Sequence, residues 1–198
     1  DEGHTKRLEI QKKYKLNDDQ LVLIFVGRIG EEKGLDILID AFVNLSDINV
    51  KLLIVGGGPQ LKPYQDLIVD KGVQQQIILT DKVPNSEVPY YYQLADAFVS
   101  ASMTETQGLT FIEAMASGCP VLGSDPAVLE ELVISGETGF LFNGSNELEL
   151  LIRKLNSMSD DELSIMKMRA VQQVKPFDKE YFVKAIEELY VRAIANEG

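Results

Sequence analysis

Short, nearly unbroken apolar runs alternate with segments of helical period between residues 20 and 144. The runs are LVLIFVG (21–27), KLLIVGG (51–57), QIILT (76–80), AFVSAS (97–102), PVLGS (120–124) and GFLF (139–142). Strands this apolar bury both faces, which is the mark of a parallel sheet built from βαβ units. Between them the 3.6-residue period predicts helices over 34–45, 60–71, 86–94 and 109–117, with a shorter one over 128–134. After residue 144 the pattern is helical only: 146–157, then 160–174 behind the cap-like Ser159, then 178–195 behind Pro176. The expected fold is α/β, a Rossmann-like doubly wound parallel sheet of about six strands flanked by helices, with a helical C-terminal tail. It forms a single domain over 1–198, with a linker or helix over 1–19, the α/β core over 20–144 and the C-terminal helices over 145–198.

Composition narrows the function without naming it. Of the 198 residues, 45% are hydrophobic and 25% charged, as in an ordinary soluble domain. A net charge of −12 repels nucleic-acid phosphates, and the only basic concentration is Lys6, Arg7, Lys12, Lys13 and Lys15, so no nucleic-acid partner is expected. Cys119 is the single cysteine, which rules out an internal disulfide or a cysteine zinc cluster and fits a reducing cytoplasm. No apolar run reaches the roughly 18 residues that span a bilayer, and the polar N-terminal segment has no signal-peptide core. The sequons at Asn44 and Asn143 therefore carry no weight.

In a doubly wound sheet, ligands bind outside the carboxyl ends of the strands, so the loops there carry the candidate chemistry. The first is GRIGEEKG, residues 27–34, where glycines free the backbone and Arg28 and Lys33 place two cations. A guanidinium and an ammonium converging there suit a diphosphate; the plainer alternative is surface pairing with Glu31, Glu32 or Asp36. The second, VGGGPQL, invites a dinucleotide reading, but Leu61 stands where the third glycine belongs and the triplet follows the second strand. A nicotinamide or flavin enzyme is disfavoured, and the glycines are expected to serve a tight turn.

The third is SMTETQGLTFIEAMASGCPV, residues 102–121. Gly108 precedes a helix through LTFIEAMA, whose first free N–H groups form an anion site. Glu113 lies about one turn inside this helix, whose packing face is read as Phe111, Ile112, Met115 and Ala116. A carboxylate that close to the core needs a hydrogen-bonding partner, and a ribose diol is one. Glu105 lies on the loop before the helix, facing the same crevice; alternatively both are solvated or capping carboxylates. His4 is expected on the surface, Cys119 as a small buried residue, and Tyr90, Tyr91 and Tyr92 as core packing. The acidic run Asp160-Asp161-Glu162 reads as a helix start, and no metal is expected.

Together GRIGEEKG, VGGGP, VPNSEVPYYYQLADAFVSAS and ETQGLTFIEAMASGCPV resemble the nucleotide-binding C-terminal half of retaining glycosyltransferases of the two-Rossmann-domain GT-B architecture, over roughly residues 10–195. The resemblance implies a donor site. Gly27, Arg28 and Lys33, with the backbone of Gly108, Leu109 and Thr110, match the groups holding the donor diphosphate. Glu113 matches the ribose ligand and Glu105 the carboxylate on the transferred sugar; Arg28, Lys33 and Glu105 are the catalytic candidates. Val83 matches the backbone that contacts the base, although Asp81 occupies a position more often glycine. Pro126 and Ala127 in SDPAVLEEL replace two glycines of related chains. The 102–121 stretch looks most like bacterial enzymes that glucosylate diacylglycerol with UDP-glucose; capsule, teichoic-acid and soluble-sugar transferases are alternatives, and an epimerase or a non-catalytic nucleotide module are rivals of another class.

The resemblance further implies no cofactor beyond the UDP-sugar donor, no metal, a second, acceptor-binding N-terminal domain outside this chain, a membrane lipid as acceptor, and a parent enzyme peripheral on the inner face of the membrane. Residues 1–19 would then lie between the domains. In FDKEYFVKAIEELYVRAI, the apolar positions Phe177, Tyr181, Phe182, Ile186, Leu189, Tyr190 and Ile194 spread beyond one narrow stripe, so one face is expected to meet that second domain.

Overall fold

A computed structural model describes residues 2–102, 108–124 and 126–177. Among these, six strands form one sheet in the order β3-β2-β1-β4-β5-β6: β1 (Leu21–Val26), β2 (Val50–Val55), β3 (Ile77–Asp81), β4 (Ala97–Ser100), β5 (Val121–Gly123) and β6 (Gly139–Leu141). Every pairing is parallel. The sheet therefore needs cover on both faces, and β1 shows how the sequence provides it. Leu21, Leu23 and Phe25 join one buried cluster while Val22 and Ile24 join the other.

The first face is covered by α2 (Leu35–Phe42), α3 (Leu61–Asp70) and α7 (Gly144–Asn156). α2 buries Leu35, Leu38, Ile39 and Phe42, one stripe of a 3.6-residue helix. The second face is covered by α1 (Glu2–Tyr14), α4 (Val88–Tyr92), α5 (Leu109–Ala116), α6 (Pro126–Leu129) and α8 (Asp160–Val174). Ser159 caps α8 as expected: its hydroxyl accepts from Glu162 N while Glu162 accepts from Ser159 N at 2.8 Å, a capping box. On α1, Ile10 is buried and the Tyr14 hydroxyl lies 3.4 Å from that of Tyr91. The predicted helix over 178–195 lies outside the described residues.

Several elements end elsewhere than the sequence pattern suggests, and β2, β4 and α6 show why. β2 stops at Val55 because the backbone turns to let Gly56 N donate to Asp81 O at 3.2 Å, at a register shift between β2 and β3. β4 stops at Ser100, whose hydroxyl accepts from Ser102 N at 3.3 Å and so draws the chain out of the ladder. α6 begins at Pro126 instead of 128 and ends at Leu129; proline suits a first helical turn, and the Thr138 hydroxyl then takes the Ile134 N–H at 2.8 Å in a turn.

At the opposite edge of the sheet from the functional loops, Asp96 fastens β4 to β1 and to α8. One carboxylate oxygen accepts from Val22 N at 2.8 Å and the other from Lys167 Nζ at 2.7 Å. Asp96→Ala leaves both donors without this acceptor and is expected to cost about 1.5–3 kcal/mol, read from the urea midpoint. Asp96→Asn keeps an oxygen for Val22 N and should lose less; equal losses would show that the bond from Val22 N contributes nothing.

Candidate functional site

Three loops leave the carboxyl ends of β1, β2 and β3 and lock together through their backbones. Ile29 N donates to Gly57 O at 3.1 Å and Gln60 N donates to Ile29 O at 3.3 Å. Gly56 has φ +144°, and a Cβ on it would run into the Gly27 carbonyl; a Cβ on Gly58 would strike the Ile29 carbonyl. The glycine triplet thus lets the β2 loop lie against the β1 loop, in agreement with the tight-turn reading. The third loop joins through Asp81, whose φ of +63° is left-handed and whose carboxylate accepts from Lys82 N at 2.7 Å. Glycine adopts such a backbone freely, and aspartate is one of the side chains that tolerate it.

These loops enclose a cleft of about 720 Å³ whose walls include Gly27, Arg28, Gly57, Lys82, Val83 and Asn85. A second cleft of about 500 Å³ shares Val26, Asn85 and Val88 with it and adds Tyr92, Glu113 and Ser117. The structure therefore brings Gly27, Arg28 and Val83 to one cavity and Glu113 to the cavity beside it. Arg28 is exposed, and its guanidinium lies 3.4 Å from Glu32, the surface pairing offered as the plainer alternative. Such an exposed pair is worth at most about 1 kcal/mol, so an incoming anion displaces Glu32 at little cost. Lys33 ends the 3-10 turn Glu31–Lys33 and is half-buried. Gly34 follows with φ +61°, and a Cβ there would sit 2.8 Å from the Ala101 carbonyl oxygen, so glycine is required where this turn crosses the end of β4.

Gly108 also has a left-handed backbone, φ +62°, and caps α5 without a side-chain bond. Leu109 and Thr110 follow as the first helical residues, whose amides have no intrahelical acceptor. The Leu109 side chain is exposed and Thr110 half-buried. Glu105 lies outside the described residues.

The expectation of a nearly buried Glu113 is corrected. Glu113 is exposed and makes no hydrogen bond or ion pair among the described residues. The buried face of α5 is Phe111, Ala114 and Met115, while Ala116 is exposed and Ile112 half-buried. At about 100° per residue, Glu113 stands some 200° from Phe111, on the side facing the cleft. No burial cost has to be offset there; the carboxylate is simply available.

Lys82, Asn85, Val88 and Tyr92 were not among the sequence candidates. The signal for the first three was present, since Lys82 and Asn85 flank Val83 on a carboxyl-end loop and Val88 opens the helix that follows it. For Tyr92 there was none. Tyr91 and Tyr92 are buried, as expected of core residues, and Tyr90 is half-buried. Cys119 is fully buried, donates to Tyr92 O at 3.0 Å, and has its thiol pushed up to about 12, chiefly by burial, so it is inert. His4 is exposed. Among the described residues no cluster of three histidine, cysteine or acidic side chains is placed to hold a metal, and no helix is long and apolar enough to cross a membrane.

The architecture is that of one half of a GT-B glycosyltransferase. The Anabaena protein Alr3699/HepE, solved in complex with UDP and glucose, superposes with a TM-score of 0.81 over 94% of this chain and 52% of its own, at 21% identity. The C-terminal domain of a glycosyl transferase group 1 family protein from Francisella tularensis superposes at 0.72 over 85% of this chain and 90% of its own, at 24% identity. The family described as Glycosyl transferases group 1 matches residues 6–189, and the chain belongs to it. It is similar to the alpha-monoglucosyldiacylglycerol synthase of Acholeplasma laidlawii, 36% identical over 188 residues. That alignment covers 93% of this chain and 47% of the relative, so the chain spans about half the length of the curated relative it matches.

Proposed function

We propose that this chain is the donor-binding half of a retaining hexosyltransferase that takes glucose from UDP-glucose and gives it to a membrane lipid such as diacylglycerol. The observation that carries the reading is the pair of adjoining clefts at the carboxyl ends of the strands, with an exposed cation, Arg28, in one and, in the other, a carboxylate, Glu113, that has no partner among the described residues. The lipid acceptor is suggested by the name of the Acholeplasma relative and the donor by the ligands of the Anabaena protein.

Each group then has one task. Arg28, Lys33 and the amides at Leu109 and Thr110 neutralise the diphosphate as it leaves, and preorganised donors aimed at developing charge are the main catalytic contribution open to this half. Glu113 accepts from the ribose hydroxyls, the Val83 backbone meets the base, and Glu105 meets the hydroxyls of the glucose. With retention, the acceptor oxygen bonds to the anomeric carbon on the face the diphosphate leaves, and the acceptor proton passes to a phosphate oxygen. The acceptor site belongs to a second domain of the whole protein, which on this reading works peripherally on the inner face of the membrane.

Calorimetry on residues 1–198 is expected to detect UDP binding at millimolar or lower concentration, with no transfer of glucose to lipid by this chain alone. Absence of binding removes the donor site. Transfer by the isolated chain removes the assignment of the acceptor site to another domain, and a labelled sugar epimerised without acceptor identifies an isomerase.

A further inference from the structure

Tyr92 combines features that ordinary core packing does not account for. Its side chain is 2% exposed, and its hydroxyl oxygen is buried with no hydrogen-bond partner among the described residues. Buried hydroxyls are paired as a rule, and an orphan calls for an explanation. The neighbouring Tyr91 has one in the Tyr14 hydroxyl. Tyr92 cannot turn outward to find water: its ring packs against Phe98 with centroids 6.0 Å apart, and its carbonyl accepts from the buried Cys119 thiol. The partner has to come to it.

The 500 Å³ cleft that Tyr92 helps to line is also lined by Glu113, which likewise has no hydrogen-bond or ion-pair partner among the described residues. Burial pushes the Tyr92 hydroxyl well above its ordinary pKa, and the charge of Glu113 is the next contributor. The phenol stays protonated, a donor only waiting for an acceptor, and an ionised carboxylate is an acceptor only.

We infer that Tyr92 is the positioning residue for Glu113: with a nucleoside diphosphate in the cleft, the Tyr92 hydroxyl donates to one carboxylate oxygen and leaves the other aimed at the ribose diol. The inference rests on the reading of Glu113 as the ribose ligand. An exposed glutamate is otherwise free to sample many rotamers, and a second bond to the same carboxylate holds it in one of them once the ligand is in place.

The test is calorimetry of UDP and of 2′,3′-dideoxy-UDP with residues 1–198. Tyr92→Phe is expected to weaken UDP about 3- to 10-fold and to leave dideoxy-UDP unchanged. In a Glu113→Ala background the same substitution should have no further effect on UDP. Without ligand, Tyr92→Phe should melt no lower than the parent, because it deletes an unpaired buried hydroxyl; a merely structural hydroxyl would lower the melting temperature. Equal losses for both ligands, no loss for UDP, or losses additive with Glu113→Ala overturn the inference while leaving the donor site standing. A parent chain that binds UDP and dideoxy-UDP equally instead overturns the ribose role of Glu113, and the inference with it.

Discussion

Alanine at Gly56 is expected to remove a large part of the stability of the domain and, with it, the floor of the larger cleft. Two costs add. At φ +144° an L side chain is strained, which costs about 1–3 kcal/mol. The new Cβ also meets the Gly27 carbonyl, so the first and second loops must separate, an overpacking cost of about 1–3 kcal/mol. The sum of roughly 2–6 kcal/mol compares with the roughly 5–15 kcal/mol of a typical domain. Gly72 supplies the control: its φ is +73°, but nothing lies within 4 Å of the added Cβ. Gly72→Ala should therefore cost only the left-handed penalty, about 1–2 kcal/mol. Urea midpoints for the two variants decide the matter. Equal shifts would mean that the contact between the loops contributes nothing and that backbone conformation alone fixes the triplet.

The same position shows why strands were legible in the sequence and their ends were not. β1 through β6 were readable because parallel strands bury both faces and leave nearly continuous apolar runs. What stops β2 at Val55 is a bond from Gly56 N to Asp81 O, made with a loop 25 residues away in sequence, and no local pattern announces it. The glycines of VGGGP reported that something crowded the backbone without reporting what. The left-handed backbone of Asp81 likewise had no local signal in the sequence.

The site divides in the same way. Arg28 and the start of α5 followed from the rule that ligands sit at the carboxyl ends of the strands and Val83 from the family resemblance, and the structure places Gly27, Arg28 and Val83 in one cleft. Glu113 was found for a mistaken reason. A packing face read as Phe111, Ile112, Met115 and Ala116 put it close to the core, whereas the helical phase set by Phe111, Ala114 and Met115 turns it outward. The unpaired Tyr92 hydroxyl had no sequence signal, because a tyrosine in a helix packed on a sheet reads the same whether or not its oxygen finds a partner.

Glu113 and Glu105 are expected to separate when each becomes glutamine. Since Glu113 is exposed and has no partner among the described residues, Glu113→Gln should leave the melting temperature of the unliganded chain unchanged, so any change in binding belongs to the ligand. If its carboxylate holds the ribose, the substitution weakens a charge-assisted bond worth about 1.5–3 kcal/mol, and UDP should bind roughly 10- to 150-fold more weakly. Glu105, if it meets the transferred sugar, has nothing to bond in UDP itself. Glu105→Gln should then leave UDP affinity nearly unchanged while lowering kcat/KM for UDP-glucose in the whole enzyme, because the lost interaction exists only when the sugar is present. Calorimetry with UDP on both variants and steady-state rates with UDP-glucose give the comparison. Equal losses of UDP affinity would reverse or merge the two roles, and no loss in either would reduce both to surface carboxylates.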